Sequence, residues 1–124
     1  MKLLLDTQAA LWWLSDDDRL GPACADLLGD GSNDVLLSDA VAWEVAVKRS
    51  TGELEAPVGF AAILIGAGAN ALPVTIAHVE AAGLLAWHHR DPFDRMLVAQ
   101  ATVEQAVLVS DDAALVPYGV PLAW

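Results

Sequence analysis

A chain of 124 residues that is 56% hydrophobic has the material for one well-buried core, and it reads as a single domain over residues 1–124. Its 17 acidic against 6 basic side chains give a formal net charge of −11, which argues against capture of nucleic acid by the bare surface unless carboxylates converge on divalent cations that reverse the local sign. One cysteine, Cys24, excludes an internal disulfide, the scattered histidines offer no zinc spacing, and no apolar run nears the roughly 20 residues of a membrane span; the expectation is a soluble, unsecreted protein of a reducing cytoplasm.

In chain order, "KLLL" (Lys2 to Leu5) reads as a strand that ends at Asp6, and Thr7 to Leu14 as the helix after it. Pro22 to Gly29 has the proline start and glycine end of a second helix. "DVLL" before Ser38 is a second strand, followed by helices over Ala40 to Ser50 and Pro57 to Ala69. "ALPVTI" from Ala71 reads as a strand, Ile76 to Leu85 and Pro92 to Gln105 as helices, and "AVLVS" from Ala106 and the closing "VPLAW" as strands. The alternation predicts an α/β domain with a mainly parallel sheet of about four to five strands and right-handed crossovers. "GAGANA" (Gly66 to Ala71) has the spacing of a dinucleotide loop, but it follows a helix and leads into a strand, so a helix C-cap and turn is preferred.

In open parallel sheets, ligands sit beyond the carboxyl ends of the strands. Asp6 stands at the end of the first strand, Glu44 within the helix "DAVAWEVAV", Asp91 and Asp94 at the start of "DPFDRMLVAQA", and Ser110, Asp111 and Asp112 after "VLV". Each has a structural alternative. Asp6 and Asp91 suit helix N-caps, Glu44 and Lys48 an i,i+4 pair, and Ser110 to Asp112 the cap of one more short helix. Together these alternatives leave the topology unexplained, because the acids fall at the outlets of strands that a parallel sheet sets side by side. Convergent carboxylates repel and raise one another's pKa, and Mg²⁺ or Mn²⁺ would resolve that conflict. Acids, water and a hard cation suit phosphodiester hydrolysis without a covalent intermediate. Ser110 could orient a carboxylate or a water, and Arg95 or Arg90 could clamp a phosphate, with an Arg95–Asp91 pair as the alternative.

"LLLDTQAALWWLSD", "SDAVAWEVAVKRSTGEL", "HRDPFDRMLVAQA" and "LVSDDAALVPYGVPLAW" follow one another in an order and spacing that span the chain. On these motifs the chain resembles the PIN-domain ribonucleases, specifically the VapC-type toxins of bacterial type II toxin–antitoxin modules. The resemblance implies a three-layer α/β/α sandwich. It makes Asp6, Glu44 and Asp94 metal-binding catalytic acids, with Asp112 as the fourth and adjacent Asp111 as its rival, and Ser110 at the family's Thr or Ser position. It implies Mg²⁺- or Mn²⁺-dependent RNA cleavage and a cognate VapB-type antitoxin, in a homodimer or a toxin–antitoxin hetero-oligomer away from membranes. Leu115 departs from the family pattern, which often has an aromatic residue there. The competing functions are an inactive PIN-fold interaction protein and an aspartyl phosphatase; the latter needs D-x-D, and Gln8 stands two residues after Asp6.

Trp12, Trp13, Trp43, Trp87 and Trp124 are expected mostly in the core, with one of Trp12 and Trp13 facing a protein partner. His88 and His89 flank the acids, and a structural or phosphate-contacting role is preferred for them over metal ligation. His78 reads as a helix residue without an assignable task.

Overall fold

Leu3, Leu4 and Leu5 are consecutive and wholly buried in strand β1 (Lys2–Leu5). Side chains alternate between the faces of a strand, so three in a row can be buried only when both faces are covered, as in a parallel sheet between helical layers. A computed structural model describes residues 1–124 and has β1 at the centre of a five-stranded sheet. The other strands are β2 (Asp34–Ser38), β3 (Asn70–Leu72), β4 (Val107–Val109) and β5 (Leu122–Ala123). Their order is β3-β2-β1-β4-β5, and every pairing is parallel. Helices α1 (Thr7–Leu14), α2 (Pro22–Gly29), α3 (Asp39–Ser50), α4 (Phe60–Gly66), α5 (Ile76–Leu84) and α6 (Pro92–Glu104) connect the strands, and a 3₁₀ helix (Ala113–Tyr118) links β4 to β5. The result is the parallel α/β domain expected from the alternation of elements, arranged as the α/β/α sandwich that the resemblance implies.

Two elements are shorter than the sequence suggests. "ALPVTI" pairs only through Leu72, because Pro73 has no N–H for the ladder and Thr75 turns to cap α5. The helix expected from Pro57 begins at Phe60, after Gly59 with φ 79°, and ends at Gly66. "GAGANA" is the turn it was expected to be: Ala67 caps α4, Gly68 adopts φ 115°, and β3 follows.

The core is built mainly of Leu, Val and Ala and contains no tryptophan. The expectation of core tryptophans is corrected: Trp43 and Trp87 are 63% and 73% exposed, and Trp12, Trp13 and Trp124 pack half-buried at the core's edge. Trp43 meets Phe93 edge-on at the surface, and Trp87 lies in the chain between α5 and α6 against the Arg95 guanidinium.

A buried polar network joins three helices. The Ser38 hydroxyl, at the N-cap of α3, donates to Gln100 Oε1 on α6. Gln100 Nε2 lies 3.3 Å from both the Pro73 carbonyl and His78 Nδ1 on α5. The Thr75 N–H donates to His78 Nδ1 at 3.0 Å, so the ring proton belongs on Nε2, which faces Glu104 Oε2 at 3.0 Å. His78 therefore does have a task, which is to cap α5 and tie it to α6.

Candidate metal centre

Asp6 follows β1 directly. Its carboxylate accepts the Ala9 N–H at 2.7 Å as the N-cap of α1, and its own N–H donates to the Val109 carbonyl at 3.1 Å, which holds it beside the outlet of β4. Past that outlet, the Asp112 N–H donates to the Ser110 hydroxyl at 3.1 Å, and the Asp112 carboxylate caps the 3₁₀ helix. Glu44 enters from α3. Its Oε1 accepts the Thr7 hydroxyl and its Oε2 pairs with Lys48 at 2.7 Å. Asp91 is the N-cap of α6, accepting the Phe93 and Asp94 N–H groups, and it sets the first turn from which Asp94 projects. Asp94 Oδ2 meets His89 Nε2 at 2.8 Å.

Asp6, Glu44, Asp91, Asp94, Asp111 and Asp112 line one cavity of about 600 Å³, with Lys48 as its only basic side chain. The structural readings and the convergence hold together, since a capping carboxylate keeps a second oxygen for another partner.

Within the cavity the donors are not equidistant. The ligand atoms of His89, Asp94 and Asp112 all lie within 4.8 Å of one another; Asp6 and Glu44 stand outside this trio. Asp111 and Asp112 divide the space, with Asp111 acting electrostatically on Asp6 and Asp112 joining Asp94 and His89. His89, expected to be structural or to contact phosphate, is the imidazole of this trio, and its place five residues ahead of Asp94, across the turn at Pro92, is the available signal.

Asp6 is 7% exposed, and burial is the largest cause that pushes its carboxyl up to about 6. The Ser110 hydroxyl and Ala9 N–H oppose that rise, while the charges of Asp94 and Asp111 add to it. Asp94 is also raised, first by burial, with His89 opposing and Asp91 and Glu44 adding. Lys48 is raised chiefly by its hydrogen bond to Glu44. Carboxylates held in an unfavourable charged state form a site that a cation would relieve. Carboxylate oxygens with one imidazole suit Mg²⁺ or Mn²⁺, the imidazole favouring Mn²⁺.

The expectation that Arg95 clamps a phosphate or pairs with Asp91 is corrected. Arg95 is 5% exposed and does not line the cavity. Its guanidinium donates to the carbonyls of Ala82, Leu85, Ala86 and His89 and to the Tyr118 hydroxyl, at 2.9–3.4 Å. The chain between α5 and α6 has no ladder to pair its carbonyls, and a planar fork of five donors satisfies several at once. Arg90 is exposed and shares a surface cavity with Trp87.

The profile described as PIN domain matches residues 3–118, and no curated protein matches the sequence. Similar solved structures include VapBC2 from Rickettsia felis, bound to a DNA fragment from their promoter, with TM-score 0.70 and 15% identity over 99% of this chain and 98% of that one. VapBC-1 from nontypeable Haemophilus influenzae has TM-score 0.70 and 15% identity over 99% and 97% of the two chains. FitAcB from Neisseria gonorrhoeae has TM-score 0.61 and 16% identity over 97% and 95%. With the profile matched from the first strand to the 3₁₀ helix and this sheet order beneath it, the chain belongs to the PIN domain family.

Proposed function

We propose that this chain is the toxin of a type II toxin–antitoxin pair, an endoribonuclease that uses Mg²⁺ or Mn²⁺ and is restrained by a VapB-type antitoxin. The observation that carries the reading is the delivery of carboxylates from β1, α3, α6 and the β4 outlet to one cavity. The toxin role draws further support from the likeness in fold to the VapBC and FitAcB structures.

Asp94 and Asp112, with His89 beside them, would hold the cation, with Asp6 and Glu44 at its margin. When bound, the cation lowers the pKa of a water and offsets the charge that develops on the scissile phosphate. The rest is the work of the chain's own groups. The Ala9 N–H fixes one oxygen of Asp6 and leaves the other for the cavity. His89 orients Asp94, and Thr7 and Lys48 hold both oxygens of Glu44. Lys48 also presents the cavity's one ammonium to an approaching phosphate. Ser110 steadies the turn that carries Asp111 and Asp112.

The test is cleavage of single-stranded RNA by the purified protein in Mg²⁺ or Mn²⁺, with EDTA as the blank. Asp6→Asn and Asp94→Asn should each lower kcat by at least about a hundredfold while leaving the fold intact. A folded wild-type protein that cleaves no RNA with either ion would overturn the enzyme in favour of a partner-binding protein of the same fold.

A further inference from the structure

The segment between α5 and α6 carries an arrangement that the acid cavity does not use. Trp87 is 73% exposed, yet it is not loose: the Arg95 guanidinium carbon lies 3.8 Å from the centre of its ring. Arg95 is itself buried and fixed by hydrogen bonds to four carbonyls and the Tyr118 hydroxyl. One face of the indole is therefore seated on a rigid cation while most of the ring is open to solvent. A cation beneath an aromatic face is an attractive arrangement that costs little when its partner is already immobilised.

Two further observations tell what the open ring would receive. Arg90 lines the same surface cavity of about 360 Å³ as Trp87. His89, two residues from Trp87, bonds Asp94 at 2.8 Å, so the segment that carries the indole is tied to a residue that lines the acid cavity. Two of the chain's 6 basic side chains stand beside the indole, Arg90 and Arg95. A surface of net charge −11 cannot draw a polyanion by long-range attraction, whereas base stacking is uncharged and needs none.

Resting on the nuclease reading above, we propose that Trp87, seated on Arg95 and flanked by Arg90, is a stacking platform for an unpaired base of the RNA entering the acid cavity. Arg90 contacts the adjoining phosphate. Such a platform selects single strands, because a duplex keeps its bases stacked on one another.

The experiment measures binding rather than cleavage. Fluorescein-labelled uridine and adenosine oligoribonucleotides of about ten nucleotides, and a duplex of the same length, are titrated with full-length protein carrying Asp6→Asn to suppress hydrolysis. Adding Trp87→Leu should weaken single-strand binding about tenfold, while Trp87→Phe, which keeps a π-face, stays within about threefold. Duplex binding should be unchanged by either, and Arg90→Ala should make the salt dependence shallower by about one counterion. Single-strand binding by Trp87→Leu within about twofold of its parent, or an equal loss for the duplex, overturns the proposal. So does a fall in sedimentation mass with RNA affinity intact, which would mark Trp87 as a protein contact. If Trp87→Leu loses its cooperative melt, RNA-induced indole quenching in the parent decides instead: quenching that persists in Trp87→Phe puts the base elsewhere. Wild-type cleavage is assayed separately, so a failed platform and a failed nuclease give different results.

Discussion

Asp6 shows how one carboxylate can satisfy two readings of the same sequence. As the cap of α1 it is stabilising, and as a buried charge near Asp94 and Asp111 it is costly, so its carboxyl rises from 3.8 to about 6. The unfolded chain releases this proton at the lower pH and the folded chain at the higher. The protonated group's contribution is therefore complete below pH 3.8 and lost as pH rises through about 6. Asp6→Asn keeps a good cap and removes the charge. It should stabilise the metal-free protein at pH 7 by about 1–3 kcal/mol in urea unfolding, and the gain should vanish near pH 4. The acid itself was legible because strand end, helix start and carboxylate coincide at one position. The Arg95 brace and the His89–Asp94 contact were not, since which carbonyls lack partners and which ring faces a carboxylate depend on how the chain between α5 and α6 returns to the sheet.

Helices were read well where proline or a capping acid marks the start, as at Pro22 and Pro92, and less well where a glycine in the left-handed region delays it, as at Gly59. The short edge strand β3 was overestimated because apolar composition continues past Pro73 while hydrogen bonding does not. Strand order was beyond local reading altogether, for it is set by which crossover helix packs on which face. One helix end is open to improvement. Gln105 caps α6 with φ 53° and ψ 45°, a conformation that glycine adopts without steric penalty. Gln105→Gly should raise stability by about 0.5–1 kcal/mol, read as a higher urea midpoint with an unchanged slope. Placed at the other end of α6 from Asp94, it should leave the proposed RNA cleavage unchanged. The Ser38–Gln100–His78 network has the opposite character: it couples α3, which carries Glu44, to α6, which carries Asp94, through buried polar contacts that tolerate little change.

At the scale of the molecule, charge and fold are linked through the cavity. Much of the −11 is gathered in the cavity, whose lining has seven acids against Lys48, and these acids at the sheet's outlet oppose folding until a cation joins them. Mn²⁺ or Mg²⁺ at about tenfold over its Kd should add about 1.4 kcal/mol and raise the Tm by about 5 °C at pH 7.5. Asp94→Asn should lose most of that rise, and calcium-free EDTA buffer should abolish it, both measured by calorimetry. The central place of β1 has a different consequence. Its neighbours are β2, made soon after it, and β4, which begins at Val107. A ribosome must therefore have passed Val107 before the first strand finds its second neighbour, and the Asp111–Asp112 turn is younger still. Until then a growing polypeptide carries Asp6, Glu44 and Asp94 without Asp112, so the carboxylate cavity is completed only when its last wall has been made.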